Sequence, residues 1–306
     1  MSKFILKVGI LGVGALAMLA WAAPKDGYTA FTMQGGVMNT RHNLTQSTVT
    51  EGNAVGQMLQ YRNDYGAVCV YCHTPHGSNN TDGAPLWNRA LGNTPYTTYD
   101  TLNTTSITAA ITQPGVNSLT CLSCHDGTLA MDAILNMPGS GGYTADAGLT
   151  TADWQAQLNN GATGTAAAAG SHMGLTDTGC LACHNADLDS PLTATIPDFT
   201  IAALGTDLTN DHPVGINLPV ARVGDDFNGP TATSANGVMQ FYDTNTDGRA
   251  NTNEIRFYNT GEGPEVECAS CHDPHGVAPS AGQAFNPTFL RIANDGSAVC
   301  QTCHNK

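Results

Sequence analysis

The chain has 306 residues, of which only 12% are charged. Acidic residues number 25 and basic residues 11, so the net charge is −14 at pH 7. A chain this acidic repels polyanions, which excludes nucleic-acid binding and favours cationic partners. Aromatic residues make up 7% of the chain, too few for the polypeptide alone to build a large core.

The first 22 residues have the three parts of a secretory signal peptide. Lys3 and Lys7 supply positive charge, residues 8–19 form an apolar run, and Ala20-Trp21-Ala22 provides a cleavage site. The apolar run is short and contains glycine, which argues against a membrane-spanning helix. We therefore expect a mature chain that begins at residue 23 and is exported to the cell surface or beyond it, with the periplasm as the alternative.

Every cysteine of the chain falls inside a C-x-x-C-H motif, and the motif occurs five times. The cysteine pairs are Cys69/Cys72, Cys121/Cys124, Cys180/Cys183, Cys268/Cys271 and Cys300/Cys303. Export normally implies disulfides, but no cysteine is left over for them. A zinc ribbon pairs its C-x-x-C motifs in twos, which an odd number does not allow, and it gives the adjacent histidines no role.

C-x-x-C-H is the signature of covalent c-type haem attachment, in which both thiols form thioethers with the porphyrin. The histidine of the motif becomes the proximal iron ligand. The chain therefore predicts five haems c, with the proximal ligands His73, His125, His184, His272 and His304. Turn-forming residues interrupt every helical pattern. We expect a single multihaem cytochrome c domain over 23–306, with mostly irregular backbone, short helices and a few β-hairpins wrapped around a chain of haems.

Five further histidines are candidates for the sixth ligand of each iron. They are His42, His76, His172, His212 and His275. His76 and His275 each stand three residues after a proximal histidine, too close to reach the far face of the same haem, so each is expected to bind a neighbouring one. Met173 is an alternative to His172, and the number of histidines is too ordinary to decide by itself. Bis-histidine ligation would keep the reduction potentials low.

Residues 243–254 fit the EF-hand calcium loop at every liganding position. The predicted ligands are the side chains of Asp243, Asn245 and Asp247, the carbonyl of Arg249, Asn251 through a water, and both carboxylate oxygens of Glu254. The alternative is a surface turn rich in Asn and Asp. We expect one structural Ca²⁺ within the haem domain, which stiffens the segment leading into the fourth motif.

Several longer motifs occur in a fixed order along the chain. They are Arg41-His42, CVYCHTPH at 69–76, Ala84-Pro-Leu-Trp-Asn88, CLSCHDGT at 121–128, Gly205 to Val214, CASCHDPH at 268–275, Phe289-Leu-Arg291 and Cys300 to His304. This ordered set resembles the extracellular multihaem cytochromes of the OmcE type, whose subunits polymerise into conductive filaments. Members of that type carry four haems, so the third motif and the calcium-type loop are additions here.

The resemblance implies a line of haems along each subunit, a head-to-tail homopolymer and a distal histidine supplied by the adjacent subunit. His42 is the position that matches that histidine. Electron transfer to an outside acceptor, without conversion of a substrate, is the leading interpretation, and a monomeric periplasmic electron shuttle is the alternative. A pentahaem reductase is disfavoured, because such enzymes carry C-x-x-C-K at the active haem and none occurs here.

Overall fold

The computed structural model describes residues 36–44, 65, 67–81, 83–92, 95–103, 107, 109, 111–136, 173–182, 184–185, 198–219, 222–259, 263–278 and 284–305. The predicted signal peptide, His172 and Cys183 lie outside the described residues. Within the described parts, no helix is long and apolar enough to cross a membrane.

All the described helices are short, and three of them are α-helices: α1 is Val116–His125, α2 is Cys268–Cys271 and α3 is Ala298–Cys303. The described 3₁₀ helices are Val37–Asn39, Val68–Tyr71, Tyr99–Leu102, Cys180–Ala182, Thr200–Ala202, Pro287–Phe289 and Asp295–Ser297. The first cysteine of each motif lies in one of these α- or 3₁₀ helices, and that helix ends at or before the proximal histidine. Helical residues three apart share a face, so the two cysteines of a motif project on the same side.

Five short strands form one antiparallel sheet in the order β1-β5-β4-β3-β2. The strands are β1 at Ile216–Asn217, β2 at Ala232–Thr233, β3 at Met239–Phe241, β4 at Arg256–Asn259 and β5 at Pro264–Val266. In the register, Phe241 pairs with Arg256 and Tyr258 pairs with Glu265. The predicted calcium loop is therefore the connection of the β3–β4 hairpin, and β5 leads directly into α2.

Buried apolar side chains form several small clusters instead of one core. The largest described cluster joins Leu218, Tyr242, Ile255 and Phe257 of the sheet region, and Cys271 and Cys303 pack against it. A second cluster contains Tyr96, Leu122 and Leu208. The predicted combination of short helices, hairpins and irregular backbone is what the described residues have.

Candidate haem-binding site

Three proximal histidines are held by the same set of backbone contacts from a distant segment. Each forms a β-bridge with a large apolar residue: His73 with Trp87, His272 with Leu290, and His304 with Phe227. The residue after that partner donates its backbone N–H to the carbonyl of the motif's second cysteine, at 2.8 Å in each case: Asn88 to Cys72, Arg291 to Cys271, and Asn228 to Cys303. We call residues 85–88, 226–228 and 288–291 the bracing segments.

A second backbone hydrogen bond connects each motif to its bracing segment on the other side of the β-bridge. The residue after the proximal histidine donates its N–H to the carbonyl just before the bridge partner: Thr74 to Leu86 at 3.0 Å, Asp273 to Phe289 at 2.8 Å, and Asn305 to Asp226 at 2.8 Å. Leu86 and Phe289 have φ of 53° and 61°. A left-handed conformation costs a residue with a side chain about 1 kcal/mol, and here the flanking bonds hold it in place.

Backbone carbonyls also fix the protonation of the proximal imidazoles. Nδ1 of His73 lies 2.7 Å from the Pro85 carbonyl oxygen, and Nδ1 of His272 lies 2.7 Å from that of Thr288. Nδ1 of His125 lies 2.6 Å from the carbonyl oxygen of Ala202, the last residue of the 3₁₀ helix Thr200–Ala202. A carbonyl can only accept, so Nδ1 carries the proton and Nε2 keeps the lone pair that binds a metal.

Three pairs of imidazole rings lie at the spacing that an iron between them requires. The ring centres are 6.3 Å apart for His73 and His275, 6.2 Å for His42 and His125, and 6.4 Å for His212 and His304. With metal–nitrogen bonds of about 2.0 Å, two imidazoles on opposite sides of one metal have centres about 6 Å apart. Each pair joins a proximal histidine to one from outside its motif, so the residues present fit bis-histidine haem.

The partner of His125 differs from the expectation that the resemblance supplied. His42 faces His125 of the same chain, whereas the resemblance implies that it reaches the adjacent subunit. The ring of His42 is fixed within the chain, because its Nδ1 lies 3.0 Å from the Pro274 carbonyl oxygen and its face stacks on Phe289 at 4.3 Å. Burial lowers the pKa of His42 to about 4, so the ring is neutral at pH 7.

The remaining predicted ligands are not brought into such pairs in the described residues. His184 stacks on Phe199 at 4.1 Å. No described imidazole lies opposite His272. Burial lowers the pKa of His272, which favours the neutral ring that can bind a metal. His76 is exposed, and its hydrogen bonds with the described residues are made by its backbone carbonyl.

Cysteines of different motifs lie side by side. A hydrogen bond between the thiols of Cys121 and Cys268 raises the pKa of Cys121. Burial, and then the neighbouring Cys124, raises the pKa of Cys72 to about 12. Burial, and then the neighbouring Cys303, raises the pKa of Cys271 to about 12. The cysteines of the first and second motifs, of the second and fourth, and of the fourth and fifth are therefore close neighbours.

A buried carboxylate locks the second and fourth motifs together. Glu267, immediately before the fourth motif, accepts the Gly115 N–H at the start of α1 at 2.9 Å and also bonds the Ser118 hydroxyl. That hydroxyl accepts the N–H of Cys268 at 2.8 Å. Burial raises the pKa of Glu267 to about 7. The carboxylate caps a helix N-terminus, where negative charge is favoured, so the two attachment helices are held in a fixed relation.

The third motif lies against the second. Gly127, just past α1, has φ of 75°, and a Cβ there would stand 2.7 Å from the Leu175 carbonyl, so only glycine fits this approach. Phe199 donates its N–H to the His184 carbonyl at 2.9 Å, and Leu204 donates to that of His125 at 2.9 Å. One short segment thus contacts both proximal histidines.

The β3–β4 loop is closed by its own hydrogen bonds. Asp243 accepts the Gly248 N–H at 2.9 Å. The two oxygens of Glu254 accept the N–H groups of Thr244 at 2.8 Å and Asn251 at 2.9 Å. The carboxylates at the first and last positions of the loop therefore face its backbone. Among the described residues, no group of three or more His, Cys, Asp or Glu side chains lies together so as to hold a metal ion.

One comparison with known proteins agrees with this chemistry at the C-terminal end of the chain. A family model described as "Doubled CXXCH motif" matches residues 262–306, which contain the last two motifs. No curated protein matches the chain. The family match and the repeated C-x-x-C-H motif indicate a multihaem c-type cytochrome, which binds haem c covalently and transfers electrons.

Proposed function

We propose that this protein is an extracellular electron carrier that binds five haems c, each between two histidines. The observation that carries this proposal is the spacing of 6.2 to 6.4 Å in three imidazole pairs. When bound, a c-type haem gains and loses one electron at its iron, at a low potential if both axial ligands are imidazoles. The chain supplies the imidazoles, fixes their tautomers and holds neighbouring motifs in contact.

The two remaining axial positions belong, in this proposal, to the histidines that the described pairs do not use. The irons at His184 and His272 would take His76 and His172, with Met173 as the alternative to His172. The proximity of these cysteines supports a path from the first motif through the second and fourth to the fifth. The third motif would branch from the second. A path of this kind needs no substrate pocket and no open coordination position.

Reductive titration of the purified protein tests the proposal. We expect five haems per chain, an uptake of five electrons per chain, and low-spin spectra throughout, because every iron has two nitrogen ligands. Absorption and electron paramagnetic resonance spectra of the oxidised protein measure the spin state. Rapid binding of cyanide or nitrite to the native protein would contradict the proposal and support a reductase, which needs an open iron.

The proposed assembly is a head-to-tail homopolymer at or outside the cell surface, in which His76 reaches a haem of the next subunit. The exposed ring of His76 and the absence of a described imidazole opposite His272 support this form. A head-to-tail contact that does not close into a ring gives a filament. The intrachain pair of His42 and His125 favours the second candidate, a monomeric periplasmic shuttle that completes its own ligand set.

We also propose that the β3–β4 loop binds one Ca²⁺ through Asp243, Asn245, Asp247, the Arg249 carbonyl, Asn251 and Glu254. Glu254 supports this, because it is only 1% exposed and its described partners are neutral N–H and hydroxyl groups. A buried carboxylate without a cationic partner is costly. A calcium ion would neutralise it and draw the other two loop carboxylates to the same point.

Calcium chelation is expected to lower the melting temperature of the protein by several degrees. An ion present at 100 times its dissociation constant stabilises the folded state by about 2.7 kcal/mol, and removing it forfeits that amount. Thermal unfolding with calcium and with excess chelator measures the difference. Glu254→Gln should unfold at the same temperature in both solutions. Equal melting temperatures for the unmodified protein would refute the calcium site.

A further inference from the structure

Asp273 is a charged hydrogen-bond partner of His275, one of the histidines in the three imidazole pairs. Nδ1 of His275 lies 2.9 Å from Oδ1 of Asp273, whereas Nδ1 of His42, His73 and His125 bonds a backbone carbonyl. Oδ1 also accepts the backbone N–H of His275 at 3.1 Å, so the aspartate binds both the ring and the backbone of that residue. The Asp273 side chain is 9% exposed and that of His275 is 61% exposed, so the bond is shielded from solvent on the aspartate side.

The position of Asp273 is fixed by a buried cation. Nη1 of Arg291 lies 3.1 Å from Oδ2 of Asp273, and Arg291 is 4% exposed. The same guanidinium donates to the carbonyls of Thr252 at 2.9 Å and Ala269 at 3.0 Å. These bonds set the orientation of the carboxylate from the side opposite to His275. Arg291 belongs to a bracing segment, so the backbone that supports His272 also sets the surroundings of His275.

The first motif lacks this arrangement although it has the same C-x-x-C-H-x-P-H pattern. Thr74 stands where Asp273 stands, and its hydroxyl donates to the backbone carbonyl of His76 at 2.9 Å. A threonine hydroxyl carries no charge and here does not bond the imidazole. The two motifs therefore present different ligands to their neighbouring haems, and the difference lies in one residue.

We propose that Asp273 is a positioning residue that makes the His275 imidazole a stronger electron donor and thereby lowers the reduction potential of the haem between His73 and His275. A carboxylate that accepts the Nδ1–H of a ligating histidine raises the basicity of Nε2. A more basic ligand stabilises the oxidised iron, which carries the higher charge. This role rests on the proposed function, in which that pair binds one haem.

The variant Asp273→Asn tests the role, because it keeps the shape of the side chain and removes its charge. We expect the ratio of reduced to oxidised haem at a fixed potential to rise about tenfold for one haem only, which is 59 mV for a one-electron couple. Spectroelectrochemical titration of the purified holoprotein gives the five potentials. Asp273→Thr copies the first motif and provides a second neutral variant with the same expected shift.

Asp225→Asn is the matched control, since it removes an exposed carboxylate and should leave that potential unchanged. Unaltered potentials in both neutral Asp273 variants, or an equal shift of all five, would overturn the tuning role. Conversion of one haem to high spin in those variants would also overturn it, because Asp273 would then only hold the ligand in place. Failure of the ligand assignment itself is distinguishable: His275→Ala would leave all five haems low-spin.

Discussion

Replacing His42 with alanine is expected to convert one haem of every chain to high spin and to leave assembly intact. The ring centre of His42 lies 6.2 Å from that of His125 in the same chain, so its loss removes one axial nitrogen from one iron. No other described imidazole lies at that distance from His125. Electron paramagnetic resonance counts the high-spin iron, and electron microscopy of gently purified protein reports the assembly.

His76→Ala is the companion variant, because His76 is exposed. If His76 binds a haem of the adjacent subunit, this variant should remain as monomers or short oligomers. The opposite pattern, in which His42→Ala abolishes filaments and His76→Ala does not, would return the inter-subunit role to His42. Monomers for the unmodified protein would favour the periplasmic shuttle.

Arg89→Ala is expected to destabilise the folded protein by about 3–5 kcal/mol, the largest single effect on stability that we predict. Arg89 is fully buried, at 0% exposure. Its guanidinium donates to the carbonyls of Met131 at 2.9 Å, Ser123 at 2.6 Å and Ala130 at 2.8 Å. Alanine removes this donor from the carbonyls of Met131 and Ser123, while the Ala130 carbonyl keeps the N–H of Ala133. Each unsatisfied buried group costs about 1–3 kcal/mol.

Denaturant unfolding followed by haem absorbance measures the loss. Arg222→Ala is the matched control, because it removes an ion pair on the surface. The side chain of Arg222 is 41% exposed and that of its partner Asp226 is 31% exposed. Exposed pairs contribute about 0–1 kcal/mol, so the control should unfold near the unmodified protein. Similar midpoints for the two variants would mean that the Arg89 bonds contribute no more than a surface pair.

The attachment residues can be predicted from the sequence alone, because covalent haem chemistry requires particular side chains at a particular spacing. The sequence also predicts short helices, since turn-forming residues interrupt every helical pattern. The bracing segments could not be predicted in the same way. Their bonds are made by backbone atoms, and the bridge partners Trp87, Leu290 and Phe227 share only their size.

Two bracing segments overlap motifs that carry the resemblance, at 84–88 and 289–291, but chain order hides what they support. Two of them follow their motif, but residues 226–228 precede the motif that they support. The resemblance implies a partner for His42 in the adjacent subunit, whereas the contacts of its ring with Pro274 and Phe289 turn it towards His125 of the same chain. The carboxylate beside His275 could be found from the sequence, because Asp273 replaces the threonine of the first motif.

The pairing of His73 with His275 has a consequence for biogenesis. The first motif is synthesised well before residue 275, so a haem attached there early would wait for its second ligand. In the interval its iron would be open to water and to small oxidants. Closing the pair then joins the two halves of the chain across a long loop, much as a late cross-link would. Maturation of the first haem is therefore completed only when nearly the whole polypeptide has arrived.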